Sequence, residues 1–81
     1  MGKQVTVLYF AQFQEKRGVS REAVTTESST AIELYRELCE QYDLMYDPET
    51  VRVAVNEELQ SWDAPIRDRD TVVFLTPFAG G

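Results

Sequence analysis

One helical stripe limits what this chain can fold into more than any other feature. In "SSTAIELYRELCEQYDL", residues 28–44, Ala31, Leu34, Tyr35, Leu38 and Tyr42 recur at the spacing of a single helix face. Thr30 followed three residues later by Glu33 is a capping-box pattern and marks the start. Glu33, Arg36, Glu37, Glu40 and Gln41 lie elsewhere around the cylinder. A helix apolar on one face must bury that face against another element. The other apolar stretches have the period of strands, so the stripe is expected to lie on a sheet.

"KQVTVLYFA" is rich in β-branched and aromatic residues and reads as a strand from about Gln4 to Phe10. Val5, Val7 and Tyr9 point to one side; Thr6, Leu8 and Phe10 point to the other. Apolar residues on both sides suit an interior strand better than an edge. "QFQEKRG" (Gln12 to Gly18) reads as a short helical turn closed by glycine, and "SREAVTTE" (Ser20 to Glu27) as a weaker strand paired with the first. After a loop with Asp47-Pro48, "VRVAVN" (Val51 to Asn56) reads as a strand that stops at a turn. "LQSWDAPI" holds a short strand or an irregular segment, with Trp62 in the core or at its edge. "RDRD" (Arg67 to Asp70) is a charged turn. "TVVFLT" (Thr71 to Thr76) is a final strand, with Val72 and Phe74 on one face and Val73 and Leu75 on the other.

This order gives an α+β fold of the β-grasp, or ubiquitin-like, class: a mixed sheet of about four to five strands wrapped around one main helix. If the first and last strands are neighbours, they run parallel. The 81 residues suffice for one domain, expected over 1–75, with a flexible tail over 76–81.

Composition excludes much chemistry. The sequence has no His, and its single cysteine, Cys39, forms no intrachain disulfide and no Cys-ligated zinc or iron–sulfur site. Cys39 beside the apolar stripe reads as a small filler rather than a reactive thiol, since no cationic partner is evident. No glycine-rich phosphate loop is present. No bound cofactor or metal is expected. The net charge of −6 argues against nucleic-acid binding and fits either solubility or a partner with a basic surface. No long uncharged apolar run and no signal-peptide pattern is seen, so a cytoplasmic location away from membranes is expected.

The ending "TPFAGG", Thr76 to Gly81, narrows from an aromatic to two residues without side chains. Pro77 cannot donate to a sheet ladder and stops the strand. Six extended residues span at most roughly 20 Å, enough to reach the floor of a partner's site while the body stays outside. Gly80 and Gly81 pass through a channel too narrow for a side chain. Such a tail delivers a carboxylate to a buried site, where adenylation would activate it. The chain is then a substrate or partner in catalysis rather than an enzyme by itself.

The stretches "VTVLYFAQFQEKRG", "VRVAVNEEL" and "PIRDRDTVVFLTPFAGG", with the spacing between them, make the chain resemble the small subunits of molybdopterin synthase, a family of ubiquitin-like sulfur carriers. The resemblance covers nearly the whole length. Three positions depart from the family pattern: Thr76 stands in place of a proline, Gln14 where Arg is frequent, and Arg69 where Gly is common. The resemblance implies that an ATP-using adenylyltransferase of the ubiquitin-activating type converts Gly81 to an acyl-adenylate. A sulfurtransferase then supplies sulfur to give a thiocarboxylate. The tail (Thr76, Pro77, Phe78, Ala79 and Gly80) carries it into the large subunit, where sulfur passes to precursor Z and forms the dithiolene of the molybdenum cofactor. The catalytic side chains would belong to the large subunit, in an assembly of two small and two large subunits. The family's docking face, an apolar patch on the sheet, would include Phe10, Leu59 and Leu75. The alternative for each of the three is a place in the core.

Other readings share the tail. Carriers for thiamine synthesis, tRNA thiolation and cysteine synthesis use the same activation and differ in the acceptor. A ubiquitin-like modifier would join Gly81 to a lysine. A plain interaction module would leave the tail inert. "YFAQFQE" and "AVNEEL" favour the molybdopterin member.

Overall fold

The computed structural model describes residues 2–44 and 47–75. Its order is β1 (Lys3–Tyr9), α1 (Ala11–Arg17), β2 (Arg21–Thr26), α2 (Ala31–Tyr42), a 3-10 turn over Pro48–Thr50, β3 (Arg52–Val55), β4 (Glu58–Gln60) and β5 (Thr71–Leu75). The five strands form one mixed sheet in the order β2-β1-β5-β3-β4. β1 and β5 run parallel, with Tyr9 opposite Phe74, and every other pairing is antiparallel. This is the β-grasp arrangement, with β1 interior as its two apolar sides require.

α2 starts where the sequence says it should. Thr30 adopts an extended backbone and its hydroxyl accepts from the Glu33 N–H at 3.4 Å. The Glu33 carboxylate reaches back one residue further than the usual box and accepts from Ser29 N–H at 2.9 Å. Thr30 lies opposite Pro65 in an isolated antiparallel bridge, made by Ala31 N–H donating to Ala64 O at 3.0 Å and Ile66 N–H donating to Ser29 O at 2.9 Å. That bridge pins the helix start to the segment entering β5. α1, longer than the single turn expected, ends on Gly18 at φ 75°, whose N–H donates to Gln14 O at 2.8 Å. Only glycine takes that left-handed angle without a Cβ penalty.

α2 lies on one face of the sheet. Ala31, Leu34, Tyr35 and Leu38 are buried against Val5, Val7, Tyr9, Val53, Val72 and Phe74. Four rings knit the layers: Phe13 of α1, Tyr35 of α2, Phe74 of β5 and Trp62 of the loop after β4. Trp62 stacks on Phe74 with centroids 6.0 Å apart, and its indole N–H donates to Pro48 O at 3.0 Å. Trp62 therefore sits at the edge of the core. Each large side chain so buried stabilises the fold by about 1.5–3 kcal/mol.

Tyr42, expected on the buried stripe, is only half-buried; its ring lies under the Arg17 guanidinium, 3.5 Å from the centroid. β4 is three residues long, and all three are exposed. It joins β3 through Asn56 and Glu57, which both take positive φ, at 52° and 72°. This is the backbone twist a two-residue hairpin needs. Among the described residues no helix is long and apolar enough to cross a membrane.

Candidate functional site

The register gives the helix-free face of the sheet an apolar row. Leu8 of β1 lies opposite Val73 of β5, Val73 opposite Ala54 of β3, and Ala54 opposite Leu59 of β4. Strand alternation turns all four away from α2. Leu8 and Val73 are half-buried, and Leu59 stands 66% exposed. The row borders a shallow depression of about 330 Å³ lined by Leu8, Asn56, Glu57, Thr71 and Val73.

The parallel β1–β5 pair brings two chain positions to one end of this face. Beyond the Tyr9–Phe74 pair come Phe10 on one strand and Leu75 on the other. Phe10 is 47% exposed and Leu75 is half-buried. Phe10 leaves the sheet because Ala11 turns left-handed at φ 50° and starts α1 at once, and Phe10 O accepts from Phe13 N–H at 3.1 Å. None of Phe10, Leu59 and Leu75 joins the core. Thr76, Pro77, Phe78, Ala79, Gly80 and Gly81 lie outside the described residues. Leu8 and Val73 were not among the sequence candidates. Their alternation was readable, but joining them to Leu59 required the register.

Charge on this face differs from that of the whole chain. Its strand positions carry two cations and no carboxylate: Arg21, opposite Leu8, and Arg52, opposite Leu75. Both are exposed. The nearest acid in the depression is Glu57, at the far end from Leu75. The basic-surfaced partner suggested by the net charge therefore does not extend to this face.

A polar clamp behind the face fixes α1. Arg17 Nε donates to Glu22 Oε2 at 3.1 Å and Nη2 to Oε1 at 2.8 Å, while Tyr9 O–H donates to Oε2 at 2.5 Å. Burial pushes the Glu22 carboxyl up, but the hydrogen bonds from Arg17 and Tyr9 outweigh it and hold it below the usual glutamate range. Burial, then the bond to Glu22, pushes the Tyr9 phenol well up. Glu22 stays ionised and the clamp stays closed at neutral pH. Sequence inspection had not singled it out; the available signal was an Arg and a Glu on either side of the Gly18 turn.

Cys39 is half-buried, and burial pushes its thiol up against a weaker opposing hydrogen bond with Tyr35, so it is a poor thiolate at neutral pH. Among the described residues no group of three or more Cys, Asp and Glu is placed to hold a metal ion.

With this geometry in place, comparison with known proteins gives a consistent result. The ThiS family model matches residues 7–81. The chain is 34% identical over 80 residues to the molybdopterin synthase sulfur carrier subunit of Escherichia coli (strain K12), covering 95% of this chain and 99% of the relative. A Pyrococcus furiosus structure named for molybdopterin converting factor subunit 1 superposes with a TM-score of 0.77 at 29% identity, over 93% of this chain and 98% of that one. A structure of the complex of subunits 1 and 2 of molybdopterin-converting factor from Helicobacter pylori matches with a TM-score of 0.64 at 25% identity, over 96% of this chain and 99% of that one.

Proposed function

The chain belongs to the ThiS family, and from that premise we propose that it is the sulfur carrier of molybdenum cofactor biosynthesis, the small subunit of molybdopterin synthase. The observation that carries this reading is the parallel β1–β5 register. It brings Leu75, six residues before Gly81, to the same end of the sheet as exposed Phe10, on a face with an apolar row and no helix over it. The likeness to the Escherichia coli carrier subunit across 95% of this chain supports the choice of pathway.

In this reading the Gly81 carboxylate attacks the α-phosphate of ATP on an adenylyltransferase. Pyrophosphate leaves and an acyl-adenylate remains. The terminal sulfur of a sulfurtransferase persulfide then displaces AMP from the carbonyl carbon to give an acyl disulfide, and a thiol cleaves its S–S bond by exchange to release the thiocarboxylate. Phe10, Leu59 and Leu75 dock on the large subunit; that subunits 1 and 2 form a complex in Helicobacter pylori supports a partner of this kind. The segment Thr76, Pro77, Phe78, Ala79 and Gly80, with Gly81 at its end, spans up to roughly 20 Å into the large subunit's pocket. There the terminal sulfur attacks precursor Z, water cleaves the resulting thioester and returns the Gly81 carboxylate, and two such transfers build the dithiolene. The chain holds no cofactor of its own; ATP is consumed on the activating enzyme. The cytoplasm, where these partners work, is the proposed location. Two carriers and two large subunits form the working assembly.

The test is an intact mass after incubation with the adenylyltransferase, ATP and a sulfur donor. A gain equal to exchanging one oxygen for sulfur, absent when Gly81 is deleted, is expected. An unchanged mass, or stable lysine conjugates in its place, overturns the reading.

A further inference from the structure

The helix-free face has an uneven electrostatic design. The chain carries 14 acidic and 8 basic side chains, yet the strand positions of this face carry only Arg21 and Arg52. Neither forms an ion pair with a described residue; the pairs among the described residues are Arg17–Glu22 and Arg69–Asp68. Each arginine is tied by register to an apolar residue, Arg21 to Leu8 and Arg52 to Leu75. β2 and β3 place them on opposite sides of the β1–β5 pair, at the end where Leu75 leaves the sheet. The nearest acid in the depression, Glu57, borders the other end.

From this bracket we infer that the face fits a protein surface with an apolar centre and carboxylates on both sides of the point that receives the end of β5. Two guanidiniums with no ion pair among the described residues, held beside apolar side chains, suit bidentate carboxylates, and arginine is enriched where interfaces hold most of their energy. The bracket also fixes orientation. A partner docked the opposite way round would set its carboxylates against Glu57 and lose both pairs. A second copy of this chain fits poorly, because the face it would present in a two-fold contact sets the one carboxylate of the depression, Glu57, against two arginines.

This inference rests on the carrier reading, and its test separates the two. Binding of the untagged chain to its molybdopterin synthase large subunit is measured by calorimetry. Arg21→Glu and Arg52→Glu are each expected to weaken it by about tenfold, whereas Arg36→Glu, on the exposed side of α2, changes it less than about twofold. Wild-type affinity is expected to fall as salt rises from roughly 50 mM to roughly 500 mM. Thermal melts of the variants exclude unfolding as the cause, since both arginines are exposed. Wild-type binding with unaltered arginine variants and no salt dependence overturns the bracket and leaves the carrier reading standing. No binding by the wild type overturns both. A concentration-dependent dimer of the chain that Arg52→Glu dissolves assigns the face to a second copy and overturns the inference.

Discussion

Arg17 and Glu22, on either side of the turn from α1 into β2, meet at two points, with Nε to Oε2 at 3.1 Å and Nη2 to Oε1 at 2.8 Å. Both side chains are largely shielded, at 16% and 20% exposure. The pair therefore differs from the solvent-exposed Arg69–Asp68 contact at 3.9 Å, which contributes little. It locks α1 onto the sheet and fixes the segment that carries Phe10.

Glu22→Gln should lower stability by about 1–2 kcal/mol, because Arg17 keeps its position over Tyr42 with only a neutral partner. The effect should depend on pH in a defined direction. The folded carboxyl titrates below its unfolded value of about 4.3. Its contribution is complete above that value and is lost as pH falls through the lower folded one. Urea titrations of both proteins from neutral pH into acid should show the wild-type advantage shrinking only below about pH 4.3. A gap that stays constant into acid would show that the ionised carboxylate is not its source.

Phe74 and Leu75 are neighbours in sequence with opposite duties. Phe74 is fully buried among Phe13, Tyr35 and Trp62, whereas Leu75 is half-buried on the helix-free face. Phe74→Ala should cost about 3–5 kcal/mol, a large share of the stability of so small a domain. Leu75→Ala should cost less than about 1.5 kcal/mol and act mainly on binding to the large subunit. Trp62, the only tryptophan, reports both. Its emission should shift to the red at lower denaturant in Phe74→Ala and barely move in Leu75→Ala. Equal shifts would place Leu75 in the core.

The contrast between these residues shows what the sequence made legible. Alternation alone put Val72 and Phe74 on one face and Val73 and Leu75 on the other, because a strand's period is two whatever it pairs with. The α2 stripe was equally plain, except at Tyr42, where the Arg17 guanidinium takes the place of core atoms. The 3.6-residue period gives direction but not what lies there. β4 was only half legible, since three exposed residues leave no apolar pattern. The Leu8–Val73–Ala54–Leu59 row and its two arginines were not legible at all. They come from four separate pairings, and a one-residue slip in any of them would send its residues to the other face.

Leu59 lies at the outer end of that row and is 66% exposed. It contributes almost nothing to the fold, so Leu59→Ala should change unfolding free energy by less than about 0.5 kcal/mol. A large apolar side chain standing in water is nevertheless suited to a partner's pocket. Calorimetry with the large subunit should show about tenfold weaker binding, or roughly 1.4 kcal/mol. Unchanged affinity would move the docking surface off β4 and confine it to the Phe10–Leu75 end.

The β3–β4 turn offers a test of the backbone itself. Asn56 is well suited to its φ of 52°, since it tolerates the left-handed region and its side chain is bonded. Its Nδ2 donates to Asp70 Oδ1 at 2.9 Å, and its Oδ1 accepts from Thr71 N–H at 2.9 Å. Glu57 at φ 72° has no such compensation and bears the Cβ penalty of a left-handed L-residue. Glu57→Gly creates the Asn-Gly pair that this hairpin geometry favours. It should raise stability by about 0.5–1 kcal/mol, the relieved strain exceeding the extra entropy of glycine in the unfolded chain. Asn56→Ala should do the reverse, because it removes the ties to both Asp70 and Thr71 while keeping a strained angle. Thermal melts of the two variants against wild type read the signs directly. If Glu57→Gly proves destabilising, the turn does not hold Glu57 left-handed, and the register that aligns Leu59 with Ala54 would need to be redrawn.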